Sequence, residues 1–269
     1  MPHIHPSAVI SERAQIADDV VIGPFCVVED DVEIQSGTRL MASVYVARGA
    51  RIGRYCTVYP GAVIATPPQD LKYAGEATTA EIADHTVIRE CVTIHRGTKA
   101  SGRTVVGAHC LIMAYCHIAH DCVIGDRVIM ANATQLGGHV TVEDEVVLGG
   151  ATLIHQFCRI GRLAMTGAGT KITKDVAPFL LVNGNMAKVY GLNRVGLRRK
   201  GFAPQKIDEI MRFYKVLFQQ GMTISEALEF YQQHFPLSPE VEHCIRFIRS
   251  SQRGVYVWRK EETSGSFTE

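Results

Sequence analysis

The chain has 269 residues, 46% hydrophobic and 20% charged, with a formal net charge of +1. That balance excludes a disordered chain, a collagen-like chain and a strongly basic nucleic-acid binder. No apolar run reaches the roughly 18 residues that a membrane-spanning helix needs.

The start, Met1-Pro2-His3-Ile4-His5-Pro6, has neither the basic nor the apolar stretch of an export signal. A cytoplasmic protein with its eight cysteines reduced is therefore expected. From Ile4 onward every sixth residue is a branched aliphatic: Ile4, Ile10, Ile16, Ile22, Val28, Ile34, Leu40, Val46, Ile52, Val58 and Ile64. The series resumes at Ile82, Ile88 and Ile94. It resumes again at Val106 and runs to Ile172, with Thr166 the one polar residue in that last stretch. A period of six fits neither a helix nor a long alternating strand. It fits short strands separated by turns, three to a lap of about 18 residues, which is the parallel β-helix of hexapeptide-repeat proteins.

The position two before each aliphatic also faces inward and is small: Val20, Val32, Thr38, Val92, Val128, Thr134 and Val140 occupy it. Cys26, Cys56, Cys110, Cys116, Cys122 and Cys158 share that slot and read as apolar filler rather than a metal or redox cluster. Glycine often follows the aliphatic, as at Gly23, Gly53, Gly107, Gly125, Gly149, Gly161 and Gly167, and is expected to relieve tight corners there.

Two segments break the repeat. Residues 65–81 hold Pro67-Pro68 and put Asp70 and Glu76 in hexad slots, and residues 95–105 hold Gly97, Gly102, Arg96, Lys99 and Arg103. Both read as loops ejected from the coil, where function concentrates. The hexads stop at Ile172, so residues 1–186 read as the coil domain. From about Ala187 a helical domain is expected to run to residue 258, and residues 259–269 read as a flexible tail. Its helices are marked by Ile207, Ile210, Met211, Tyr214, Leu217 and Phe218 behind Pro204, by the capping box Thr223–Glu226, and by Ser238-Pro239 ahead of Val241, Ile245 and Ile248.

In such a coil, residues 18 apart stack about 4.8 Å apart. His120, Gly138 and Gln156 then share one column, Asp121, His139 and Phe157 the next, and Ala119, Gly137 and His155 the one before, with His117 in the coil of His120. A neutral histidine suits general-base work on a hydroxyl. Asp121 beside it can orient and support the imidazolium, and the bare Gly138 amide can donate to a developing oxyanion. The set points to acyl transfer. A coil-shaped metal-dependent lyase of carbonic-anhydrase type is the competing enzyme, but with Asp121 serving His120 no metal and no cofactor are required. A non-catalytic scaffold is the third reading. The basic run Gly196-Leu197-Arg198-Arg199-Lys200-Gly201 reads either as a solvated helix face or as a binder of diphosphate or an acidic partner.

Linked motifs add specificity. Gln69-Asp70-Leu71-Lys72-Tyr73-Ala74-Gly75-Glu76, Val92-Thr93-Ile94-His95-Arg96-Gly97, His117-Ile118-Ala119-His120-Asp121-Cys122, Ile154-His155-Gln156-Phe157-Cys158 and the basic run together resemble the bacterial UDP-N-acetylglucosamine O-acyltransferases over roughly residues 4–250. The resemblance implies a left-handed parallel β-helix with a small C-terminal α-helical domain, a homotrimer and sites between subunits. It further implies an (R)-3-hydroxyacyl donor on acyl carrier protein and the 3-OH of UDP-N-acetylglucosamine as acceptor, in the first step of lipid A synthesis. By the same resemblance His120 is the general base, Asp121 its support and Gly138 the oxyanion donor. Asp70, Lys72, His95, His117, His139, His155 and Gln156 match sugar-nucleotide or acyl contacts, and Asn193 and Arg199 match nucleotide contacts from a neighbouring subunit. Ala168 matches the position that sets acyl length. Val195 and Lys200 depart from the Glu and Arg of the best-known members, and some relatives use a 3-amino sugar acceptor.

Overall fold

The structure, a computed structural model, describes residues 1–258; the tail expected over 259–269 lies outside the described residues. Most hexads become a two-residue strand such as Val21–Ile22 or Ile129–Met130, with its second residue buried and its first turned outward; in the open first lap Ile4 is exposed and Ile10 and Ile16 are half-buried. The strands stack in register into three sheets of 11, 9 and 8 strands, parallel except for the last pairing of the first, joined lap after lap into a left-handed parallel β-helix. We call these the first, second and third faces of the prism. The first lies along Thr57, Val87, Leu111 and Ile129, the second along Thr93, His117, Gln135 and Leu153, and the third along Val105, Val123, Thr141 and Arg159.

The inside is a continuous aliphatic column closed by the inward cysteines. Cys110, Cys116 and Cys122 each donate Sγ–H to a corner carbonyl of the next coil, those of Gly125, Ala131 and Gly137, at 3.1, 3.2 and 3.2 Å. Burial pushes the Cys110 and Cys116 thiols up to about 11 and Cys122 up to about 12, so they persist as neutral filler.

The corners differ from the sequence expectation. The left-handed residue sits three positions after most of the aliphatics, at Phe25, Ser43, Tyr55, Cys91, Tyr115, Asp121, His139 and Phe157 among others, with φ near +55 to +65°. Glycines that directly follow the aliphatic do a different job. A Cβ on Gly23 would lie 2.8 Å from the Met41 carbonyl oxygen, and one on Gly149 2.6 Å from that of Thr166. These glycines admit the next coil rather than relieve a turn.

The two ejected loops are shorter than the broken hexads suggested. Strands Val63–Thr66, Thr79–Ile82, Thr93–His95 and Arg103–Val106 outlast the repeat and leave residues 67–78 and 96–102 outside the coil. Nor does the chain turn helical at 187. Leu180–Asn183 and Lys188–Leu192 form an antiparallel hairpin on the first sheet, and helix begins only at α1 (Arg194–Arg199). The sequence signal failed here because the strand alternates burial only over its first four residues and follows no hexad.

α2 (Pro204–Gln219), α3 (Ile224–His234) and α4 (Pro239–Arg249) follow, with the Thr223–Glu226 capping box formed and Ser238 capping α4. They pack on the coil through buried Tyr214, whose hydroxyl donates to the Pro178 carbonyl at 2.7 Å, and through Arg159 over the Phe247 ring.

Candidate active site

The edge between the second and third faces carries the histidines. Asp121 stands at a left-handed corner, a conformation aspartate tolerates better than most residues, and its carboxylate is wholly buried. His120 Nδ1 lies 2.8 Å from Asp121 Oδ2. Thr98 gives the carboxylate two further hydrogen bonds, N–H to Oδ1 at 3.0 Å and Oγ1–H to Oδ2 at 2.7 Å, and Ser101 donates its hydroxyl and N–H to Oδ1. Burial by itself raises the Asp121 pKa, but the bonds from Ser101, His120 and Thr98 outweigh it and hold the carboxyl at about 2. An ionised carboxylate only accepts, so Nδ1 of His120 must carry the proton and Nε2 is left with a free lone pair. That is the tautomer of a general base.

Nε2 leans over Gly138 in the next coil: a Cβ there would lie 2.7 Å from it. The amide of Gly138 stands at the second position after a hexad aliphatic, where corner amides among the described residues are either open, as at His120 and Gln156, or capped by a carboxylate. Those of Arg48, Arg54, Ala108, Asp126 and Arg162, also second after a hexad aliphatic, are taken by the carboxylates of Glu29, Asp84, Asp126, Asp144 and Glu143. Among the described residues, no acceptor takes the N–H of Gly138. A backbone donor open beside a general base is what an oxyanion requires.

These groups border a cleft of about 480 Å³ along the second face, lined by His117, His120, Gly138, His155 and Gln156 and by Gln69 from the first ejected loop. His117 is fixed through Nδ1 to the Thr93 hydroxyl at 2.7 Å, and His155 donates Nδ1–H to the Gln156 carbonyl at 3.0 Å. His139 packs edge-on to His120 and stacks on Phe157, with ring centroids 5.2 and 4.5 Å apart. His95 is buried edge-on to His117, and its Nδ1 has no partner among the described residues. Burial, with His117 and His120 adding to it, drops His95 to about 4, and burial likewise lowers His117 and His139. The imidazoles around His120 are therefore neutral near pH 7. Asp70 lies close enough to His139 to oppose that lowering.

Other candidates stand apart. Lys72 is exposed on its loop, and Ala168 is exposed at the edge between the first and second faces. Asn193 is buried with its amide committed, Nδ2 donating to the Leu163 carbonyl and Oδ1 capping α1 through Gly196 N–H, each at 3.0 Å. Arg199 is exposed in the last turn of α1. None of these four lines the cleft of its own chain.

Several contributors escaped the sequence analysis. Thr93, Thr98, Ser101 and Gln135 are polar residues whose outward or loop positions give no signal until the register is known, and Thr104 fills an inward slot that threonine occupies elsewhere as core. Thr93 pairs with His117 across an interval lengthened by the second ejected loop, which hides the column.

One trio of donors, His120, Asp121 and His139, comes within 4.8 Å. Its carboxylate oxygens are already taken by Thr98, Ser101 and His120, so the set is built around hydrogen bonds rather than around a cation.

Known proteins carry the same design. A family profile described as UDP-N-acetylglucosamine O-acyltransferase, domain 2, matches residues 175–256, and the bacterial transferase hexapeptide profile (six repeats) matches residues 103–138. The acyl-acyl-carrier-protein–UDP-N-acetylglucosamine O-acyltransferase of Thermodesulfovibrio yellowstonii is 46% identical over 95% of this chain and 99% of its own length. That of Alkalilimnicola ehrlichii is 45% identical over the same shares. The solved UDP-N-acetylglucosamine acyltransferase of Francisella novicida superposes with a TM-score of 0.93 at 35% identity over 99% of both chains. Its counterpart from Bacteroides fragilis gives 0.91 at 40% identity, covering 94% of this chain and 99% of that one. With the relatives matched nearly end to end, this hexapeptide-repeat chain belongs to the UDP-N-acetylglucosamine O-acyltransferase family and is an acyltransferase.

Proposed function

We propose that this enzyme transfers an (R)-3-hydroxyacyl group from acyl carrier protein to the 3-OH of UDP-N-acetylglucosamine, the first step of lipid A synthesis. The observation that carries the reading is the His120 imidazole, held by the ionised Asp121 carboxylate and leaning over the free amide of Gly138 in one cleft. His120 Nε2 takes the acceptor hydroxyl proton as that oxygen bonds to the thioester carbon. The oxyanion rests on the Gly138 N–H. Collapse breaks the C–S bond, and the imidazolium returns its proton to the departing thiolate. Neutral His95, His117 and His139 add donors and acceptors without charge and, with His155 and Gln156, suit the hydroxyls and amides of a sugar and a hydroxyacyl chain.

The enzyme works as a homotrimer in this reading. An outward row of apolar side chains, Val87, Leu111, Ile129, Val147, Met165 and Leu181, runs up the first face and offers a second copy a surface to cover. Asp70 and Lys72 from the loop, with Arg199 from a neighbouring subunit, then complete the nucleotide site; Asn193, its amide committed, serves by capping the helix that presents Arg199, and Ala168 limits acyl length. Lys200 is held by Glu145 at 2.9 Å and Val195 is apolar, so the phosphates rely on Arg199. No helix among the described residues is long and apolar enough to cross a membrane, and all eight cysteines are free, which favours a reducing cytoplasm.

Purified enzyme given UDP-N-acetylglucosamine and a ladder of hydroxyacyl carrier thioesters, read by mass spectrometry, tests this. A 3-O-acyl product is expected, lost by about 10³-fold or more in His120→Ala. Wild-type turnover in that variant refutes the base assignment, and acylation of a 3-amino sugar alone reassigns the acceptor.

A further inference from the structure

Asp121 is enclosed by hydroxyls from one short segment. Its N–H donates to the Thr104 hydroxyl at 2.9 Å, and its carboxylate receives Thr98 and Ser101. The Ser101 hydroxyl has one proton and two acceptors within reach, Asp121 Oδ1 and the Arg103 carbonyl at 2.8 Å. The closer, anionic one takes it. Thr98 Oγ1 gives its proton to Asp121 while accepting the Ala100 N–H at 3.2 Å, so its direction is set as well.

The segment is itself anchored. Gly97 packs its α-carbon against the Arg103 backbone with no room for a side chain, and its carbonyl accepts the Thr78 hydroxyl at 2.6 Å. Arg96 spans both ejected loops, donating to the Tyr73 hydroxyl at 3.0 Å and the Arg48 carbonyl at 2.8 Å. A loop this firmly held presents two hydroxyls at fixed points, as a positioning shell needs.

Resting on the assignment of His120 as base, we infer that Thr98 and Ser101 are positioning residues: they fix Asp121 as an acceptor toward His120 Nδ1 and, by sharing its negative charge, set how strongly the imidazolium is held. Removing a donor concentrates the carboxylate charge on the remaining partner. The imidazolium then gains stability, and the base loses its proton only at higher pH. The other titratable or charged groups facing His120 are His139, His117 and His95, with Asp70 beyond His139 and with His155 and Lys171 bordering the same cleft. None of them contacts the Ser101 hydroxyl, so a change there is read through Asp121.

The test is the pH profile of kcat/KM for Ser101→Ala and for the near-isosteric Thr98→Val, with His120→Ala as control and melting curves to establish folding. Ser101 is exposed apart from its hydroxyl contacts, so its truncation leaves the coil intact. The acid limb is expected to move up by about half to one pH unit in Ser101→Ala. The rate near pH 6 then falls about three- to ten-fold while the alkaline plateau stays within about two-fold. Ser101→Thr, which keeps the hydroxyl, should restore the wild-type limb. A uniform loss at all pH values, an unmoved profile, a downward shift, or a threonine variant behaving like alanine overturns the inference while leaving the base assignment standing. An active His120→Ala overturns the base assignment itself, and with it the role of the shell.

Discussion

The imidazole of His120 occupies the space that a side chain on Gly138 would need. A Cβ there would lie 2.5 Å from Cε1 and 2.7 Å from Nε2. Base and amide donor are thus held in neighbouring coils by the same contact, and the absence of a side chain at 138 is a requirement of the site rather than of the backbone. Gly138→Ala should fold, because the methyl meets a side chain that can swing away, yet its activity should fall by about 10²-fold or more as the imidazole leaves Asp121. Steady-state rates with a circular-dichroism melt decide this. Activity within a few-fold of wild type would mean the base does not work from that position.

Glycines after the hexad aliphatic allow a second separation of causes. Gly149→Ala drives a methyl into backbone, 2.6 Å from the Thr166 oxygen and 2.8 Å from the Ala168 nitrogen, whereas a methyl on Gly169 meets nothing within 4 Å and suffers only from φ of +69°. The first should lower the melting temperature by about 5–10 °C, the second by about 2–4 °C. Equal losses would return the glycine role to the corner.

The prism itself was legible because one inward aliphatic per strand is a long-range periodic constraint: Ile52, Ile82 and Val106 stack on one face despite the two intervening loops. The histidine edge was legible for the same reason, since columns follow from the period once it is known. Ser101 and Thr98 were not, because a loop residue's partner depends on how the loop closes, and nothing in residues 96–102 encodes Asp121 as its target. The hairpin at Lys188–Leu192 was hidden by the opposite effect. Its pairing with Leu180–Asn183 is antiparallel and has no counterpart in the parallel repeat that organised everything before it.

Glu145 shows how the coil and the start of the helical region are electrostatically tied. Its carboxylate meets Lys200 at 2.9 Å, Arg162 at 3.0 Å and Arg127 at 3.4 Å. Burial acts to raise its pKa, but Lys200 and Arg162 more than offset this and hold the carboxyl at about 2, below its ordinary 4.5. A folded-state pKa that is depressed contributes stability above the unfolded value and loses it as pH falls toward the folded one. The contribution is therefore complete above about pH 5.5 and fades between 4.5 and 2. The three cations are each two-fifths or more exposed, so solvent screening leaves on the order of 1–2 kcal/mol. Glu145→Gln should melt about 3–6 °C below wild type at pH 7. At pH 3 the gap should shrink, because part of the wild-type advantage is lost there by protonation. A gap that is constant across this range would assign the loss to packing instead of charge.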